Sequence, residues 1–336
     1  MIYIITSILF LFSCSQAVVE DSKFSLTGIT HGIEDGTVLI MDFDSGNTIL
    51  DSAIVKDNRF EFKTVLPKDP IQVVLHTKDF THFRFLWLEN LPMTFDARGS
   101  DFRHANVTGS SIEDLSEEYV TGIDSIPRSE KKRRREFEIE FVETHPNSIH
   151  SALMLSGYST TWGRETTQRL YNLFSQEIKE TQYGQTVSKY LQLNREPQIG
   201  EKYIDFEMET TEGDIAKLSN FDGKIVLLEF WASNCYPCRK ENPNLVKTYQ
   251  KYNPMGFEIF AVSQDTKRKS WLNAIEKDGL PWLQTSDLKG IENTPSMIYG
   301  VRGIPDNFLI NREGIIIGRN LRGDELNYIL EDLLSE

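Results

Sequence analysis

In residues 23–98 the apolar positions come in short runs with partial alternation, and turn residues bound each run. Residues 37–43 and 59–65 are rich in β-branched and aromatic side chains, and runs at 71–75 and 83–88 follow. Between them stand Glu34-Asp35-Gly36, Asp44-Ser45-Gly46-Asn47, Lys56-Asp57-Asn58 and Lys68-Asp69-Pro70. A period of two between turn signals predicts strands. Several short strands at this spacing predict a small antiparallel β-sandwich over residues 23–110. From residue 111 to 195 the apolar spacing lengthens to three and four, which predicts helices over 112–119, 129–144, 148–158, 164–181 and 184–193. His145-Pro146-Asn147-Ser148 interrupts that run, with Ser148 as the N-cap of the next helix. After Arg195-Glu196-Pro197 comes Ile199-Gly200-Glu201-Lys202, and strands then alternate with helices to Glu336. Residues 196–336 therefore read as an α/β domain.

The first residues do not belong to this pattern. Residues 2–12 are apolar except for Tyr3, Thr6 and Ser7. A bilayer span needs about 20 residues, so this run suits the core of a secretory signal. Leu11-Phe12-Ser13-Cys14 resembles a bacterial lipoprotein signal. That resemblance implies that Cys14 is lipidated, anchors the chain in a bilayer and leaves a short tether up to residue 22. The expected location is the cell envelope, facing the periplasm.

Charge narrows the partners. The net charge of −14 argues against nucleic acid as a partner. The basic run from Lys131 to Arg135 precedes Glu136, Glu138 and Glu140, so it reads as a solvated helix face.

The chain has three cysteines, and two of them form Cys235-Tyr236-Pro237-Cys238. The run Lys224-Ile225-Val226-Leu227-Leu228-Glu229-Phe230-Trp231-Ala232 before them is nearly all apolar, as in a strand buried on both faces. Ser233 and Asn234 are good N-cap residues, so a helix is expected to start at the cysteines. The first turn of a helix leaves N–H groups unpaired and carries partial positive charge. Both favour a thiolate, which is the nucleophile, and Arg239 and Lys240 are expected to add positive charge. Cys238 lies about one turn deeper, close enough to close a disulfide. In this reading Cys235 attacks a substrate disulfide and Cys238 resolves the mixed disulfide. A zinc site fits poorly, because all six histidines lie before residue 151 and there is no second Cys pair. An inert structural disulfide remains the other reading. No metal and no cofactor beyond the Cys235–Cys238 pair is expected.

These residues resemble the active site of thioredoxin-like proteins, and the likeness covers about residues 199–336. Pro243 stands where that family kinks its active-site helix. Arg302-Gly303-Ile304-Pro305 looks like its cis-proline loop, which implies that Ile304 and Pro305, with Trp231, Tyr236 and Pro237, meet the substrate chain. Residue 306, usually Thr in the family, is Asp here, and a carboxylate at that place is expected to repel acidic partners or raise the pKa of Cys235. The family often holds a buried acid at the position of Glu229, implying that Glu229 takes the proton of Cys238; an outward-facing strand acid is the alternative. Residues 261–265 and 271–275 look like the longer TlpA-like and AhpC/TSA-like branch, which includes periplasmic reductases of cytochrome c maturation. Residues 23–195, above all Phe141-Val142-Glu143-Thr144-His145-Pro146-Asn147-Ser148, resemble a module of unknown function carried by many thioredoxin-like lipoproteins.

The resemblance implies an envelope-anchored thiol–disulfide oxidoreductase that reduces disulfides of envelope proteins and is recharged by a membrane thiol electron donor. Two rivals stand beside it. One is a thiol peroxidase of the peroxiredoxin-like branch. The other is an envelope ligand-binding lipoprotein whose N-terminal aromatics Phe83, Phe85 and Trp87 line a site.

Overall fold

The computed structural model of the protein describes residues 24–43 and 48–334. The signal and tether with Cys14, Lys23, and the turn Asp44-Ser45-Gly46-Asn47 lie outside the described residues. Among the described residues no helix is long and apolar enough to cross a membrane. The chain forms two compact units, one up to Pro127 and one from Arg128.

The first unit has eight described strands: β1 (Ser25–Ile29), β2 (Val38–Phe43), β3 (Thr48–Ile54), β4 (Arg59–Phe62), β5 (Ile71–Thr77), β6 (Phe83–Leu88), β7 (Pro92–Asp96) and β8 (Asn106–Thr108). They make two four-stranded sheets, in the orders β4-β1-β7-β8 and β3-β2-β5-β6. Leu26, Phe62 and Phe95 of the first sheet and Leu39, Val73 and Leu86 of the second share one buried core, so the unit is a sandwich. One pair departs from the antiparallel expectation: β1 and β7 run parallel, from Ser25↔Pro92 to Ile29↔Asp96. The whole second sheet lies between them in sequence, and that long crossover permits a parallel pair. Helix α1 (Ser111–Asp124), capped by Ser110, belongs to this unit. Its Glu113 accepts from Arg84 at 2.9 Å and from the Trp87 amide at 2.8 Å. Trp87 is fully buried, whereas Phe85 is 54% exposed. Trp87 therefore belongs to the packing and lines no open ligand site.

The second unit opens with α2 (Lys131–Thr144), α3 (Ile149–Trp162), α4 (Arg164–Leu173), α5 (Gln176–Glu180) and α6 (Gln182–Leu193). Ser148 caps α3 by accepting from the His150 amide. The single helix expected over 164–181 is two, because Phe174 is extended and Ser175 caps α5. An N-cap in mid-pattern restarts a helix without disturbing the apolar spacing much.

A small ribbon of β9 (Glu207–Glu209) and β10 (Ile215–Lys217) precedes the α/β layer. That layer runs β11 (Ile225–Trp231), α7 (Tyr236–Tyr252), β12 (Phe257–Ser263), α8 (Arg268–Asp278), β13 (Leu283–Thr285), α9 (Thr294–Tyr299), β14 (Asp306–Ile310), β15 (Ile316–Arg319) and α10 (Gly323–Leu334). The sheet order is β13-β12-β11-β14-β15, parallel from β13 to β11 and antiparallel beyond. Every residue of β11 is buried, because both sheet faces are covered. Leu227 and Trp231 face a cluster with Leu245, Trp271 and Leu330, while Val226, Leu228 and Phe230 face one with Phe206, Ile298 and Tyr299. The central strand is thus pinned from both sides, and it delivers its C-terminal end to the cysteines.

Candidate active site

Cys235 is the N-cap of α7 and Pro237 lies in the first turn, where the missing N–H costs nothing. The Cys238 amide donates to Cys235 Sγ at 3.2 Å. The two cysteines are joined in a disulfide, with their Cα atoms 5.3 Å apart. Cys235 is 9% exposed and Cys238 1%, so the first cysteine is the one a partner can reach. Tyr236 beside it is 77% exposed and Pro237 is also exposed. Pro243 lies inside the same helix.

The charge around the cysteines differs from the expectation at Arg239. Its Nη2 donates to Asp278 Oδ1 at 2.7 Å, its Nε to Asp278 Oδ2, and its Nη1 to the Ser233 carbonyl at 2.9 Å. The guanidinium is therefore neutralised and works as a clamp on the loop. Asn242 adds a 2.7 Å bond to Asp278. Burial pushes the Asp278 carboxyl up, but the bonds from Arg239 and Asn242 outweigh it and hold the group below its ordinary value. Asp265 grips the other side: it accepts from the Ser233 amide at 2.9 Å, from the Ser233 hydroxyl and from the Ser263 hydroxyl at 2.7 Å. Neither aspartate role is readable from local sequence, because each joins segments more than 30 residues apart.

Glu229 is 4% exposed. It lies between Leu227 and Trp231 on the β11 face that packs on the cluster holding Cys235 and Cys238. Burial, and then the negative charge of Glu241, push its carboxyl up to about 8. Glu241 was not singled out from the sequence. It stands one turn after Cys238 and accepts from the Gly323 amide at 3.0 Å; the three-residue spacing from Cys238 was the available signal. Two carboxyls that interact on the cysteine face can hold and release a proton near neutrality.

The Ile304–Pro305 peptide is cis. Ile304 packs against the cysteine-bearing cluster, and both residues of the pair are half-buried. Ile304 lies outside every strand ladder, just ahead of β14. Trp231 is placed differently from the expectation. It is fully buried and its indole N–H donates to Gln284 Oε1 at 3.0 Å, so it shapes the floor and does not touch a substrate. Asp306 also differs. It is 4% exposed and accepts from Arg319 Nη2 at 2.8 Å. By strand alternation it shares a face with Phe308 and Ile310, opposite the cysteines. Its charge is compensated and turned away, so it neither repels an acidic partner nor acts on Cys235.

Residues 199–319 match the AhpC/TSA family, and residues 24–115 match a domain of unknown function, DUF4369. The thiol-disulfide oxidoreductase ResA of Halalkalibacterium halodurans is 34% identical over 118 residues, which are 35% of this chain and 65% of that protein. The chain thus spans just under two thirds of that relative. The protein of the same name from Bacillus cereus is 32% identical over 147 residues, 44% of this chain and 83% of that protein. Among solved structures, the thioredoxin domain of a thiol-disulfide oxidoreductase from Bacteroides vulgatus is 33% identical, over 41% of this chain and 98% of that one, with a TM-score of 0.39.

Proposed function

The chain belongs to the thioredoxin-like thiol-disulfide oxidoreductases, and from that premise we propose that it is an envelope-anchored reductase of protein disulfides. The observation that carries this reading is the placing of Cys235, with Cys238 behind it, at the start of α7 beside the Ile304–Pro305 loop. The reduced pair begins the cycle. The Cys235 thiolate attacks one sulfur of a substrate disulfide, forms a mixed disulfide and expels the other substrate sulfur as a thiolate. Cys238 gives its proton to the Glu229 carboxylate and attacks Cys235 Sγ. That breaks the mixed disulfide, releases the second substrate thiolate and leaves the Cys235–Cys238 disulfide. Two electrons pass from the pair to the substrate, whose two thiolates take up the proton held by Glu229 and one proton from solvent. A dithiol donor then reduces the pair again.

Local charge supports the reducing direction. Arg239 is spent on Asp278, and Glu241 places a negative charge that is felt at Glu229 on the cysteine face. Both weaken stabilisation of the thiolate, and a less stabilised reduced form is a better reductant. Tyr236, Pro237, Ile304 and Pro305 form the surface around Cys235 along which a substrate chain pairs. The lipoprotein-like segment ending at Cys14 supports a lipid anchor and an envelope location, where disulfides persist.

The test mixes the pre-reduced chain with a disulfide-bonded polypeptide. The reading expects one substrate disulfide reduced per chain, none with Cys235→Ser, and arrest as a mixed disulfide with Cys238→Ala. Reduction by Cys235→Ser at the native rate contradicts it.

A further inference from the structure

Beyond β15 the chain runs through Asn320, Leu321 and Arg322 into Gly323, the first residue of α10. These four residues form a strap between the two halves of the active site. The buried Asn307 side chain holds Leu321 by both backbone groups: its Nδ2 donates to the Leu321 carbonyl at 2.8 Å, and its Oδ1 accepts from the Leu321 amide at 3.0 Å. That anchors the strap to β14. The Gly323 amide donates to Glu241 Oε1 at 3.0 Å, which anchors it to α7 one turn after Cys238. Asn320 and Gly323 bend the strap with left-handed backbone, φ +57° and +52°, which both residue types adopt at little cost.

Arg322 stands exposed between the two anchors, and its Nη2 donates to the Pro305 carbonyl. The direction of that carbonyl follows from β14. The Asn307 carbonyl points to the β15 side, where it accepts from the Asn320 amide at 2.9 Å. Two residues earlier, the Pro305 carbonyl points the same way. The ladder between β14 and β15 begins only at Phe308↔Arg319, so no strand reaches it. A side chain has to satisfy a carbonyl in that place if water does not. Among the described residues, Arg322 makes the one hydrogen bond that reaches the main chain of residues 302–305. The loop is thus tied by two guanidiniums, Arg302 to Glu196 at its start, at 2.8 Å, and Arg322 to Pro305 at its end. Helix α10 gives no reason for Arg322, because a cation just ahead of a first helical turn is unfavourable.

We propose that Arg322 is a positioning residue for the substrate chain: through the Pro305 carbonyl it fixes the Ile304–Pro305 peptide in the setting in which a substrate backbone pairs along Ile304. The inference rests on the reading of the chain as a reductase of protein disulfides. Ile304 packs against the cluster that holds Cys235, so a shift of this peptide moves the pairing edge relative to the reacting sulfur. A misplacement of about 1 Å can cost a positioned reaction on the order of 100-fold. Arg322 acts on the peptide that follows Ile304, so it holds the loop without occupying the Ile304 N–H or carbonyl.

The test compares two substrates of the pre-reduced full-length chain. One is a disulfide-bonded peptide; the other is 2-hydroxyethyl disulfide, which has no backbone to pair. The ratio of their second-order rate constants is measured, so a general loss of activity or of folded protein cancels. In Arg322→Met the ratio of peptide to small disulfide falls about tenfold, as loss of one charge-assisted bond allows. Arg322→Lys, which keeps a charged donor, restores part of it. A native ratio in Arg322→Met, or equal ratios in the Met and Lys variants, overturns the positioning role while leaving the reductase reading intact. If the native chain reduces neither substrate, the reductase reading falls and the positioning role with it.

Discussion

Arg239 and Asp278 form a two-nitrogen ion pair that ties the first turn of α7 to the last residue of α8. The pair fixes the loop before Cys235 through the Ser233 carbonyl and removes a free cation from beside the thiol. The side chains are 24% and 12% exposed, so the pair is shielded more than a surface bridge.

Asp278→Ala leaves Arg239 and Asn242 without their acceptor. The expected loss is about 2 kcal/mol of stability, measured by denaturant unfolding. The unpaired guanidinium also lowers the pKa of the reduced Cys235 thiol, read by ultraviolet titration of the thiolate. An unchanged titration contradicts the assigned neutralisation.

Glu229 gives stability a pH dependence. Its folded value, about 8, lies above the ordinary 4.5, so the folded state binds the proton more tightly. Its share of stability is complete below about pH 4.5 and is lost as pH rises through about 8, on the order of 5 kcal/mol in total. Glu229→Gln flattens that part of the profile of the oxidised protein. The same variant slows resolution of the mixed disulfide by about 100-fold without slowing the first attack. Equal pH profiles for the two proteins contradict the assignment.

Asp265 holds the active-site loop through Ser233 and Ser263. Asp265→Ala removes three acceptor bonds, and about 2 kcal/mol of stability goes with them. Amide exchange at Ser233 is expected to speed up at least as much as global unfolding does. Native protection of that amide in the variant contradicts the clamp.

Asp306→Thr puts the residue common in the family at this position. Arg319, 27% exposed, then loses its carboxylate, at a cost of about 1–2 kcal/mol in thermal unfolding. Because Asp306 faces away from the cysteines, the preference between acidic and neutral peptides stays as it was. A changed preference contradicts the placing of that carboxylate.

The parts legible in the sequence are those whose chemistry is local. Cys235, Pro237 and Cys238 announce a helix start, and Ile304-Pro305 a special peptide, because each depends on a few adjacent residues. The helix over 184–193 was legible because an apolar stripe, with Val187, Tyr190 and Leu191 buried, repeats within one element. Strand β3 was not, since it is mostly exposed and lacks alternation. Strand β1 finds its partners β4 and β7 30 or more residues away, so nothing local marks it. The roles of Asp265, Asp278 and Asp306 arise from partners on other elements. A local reading treats each as a lone acid, and for Asp306 that reading pointed the charge at the wrong face.

The most direct test of the central claim is capture of substrates on Cys235. The full-length Cys238→Ala variant is expressed in its native envelope, and adducts released by a reductant are identified. The account predicts disulfide-linked envelope proteins with paired cysteines, absent when Cys235 is also replaced by Ser. Adducts no more abundant than in that double variant contradict it.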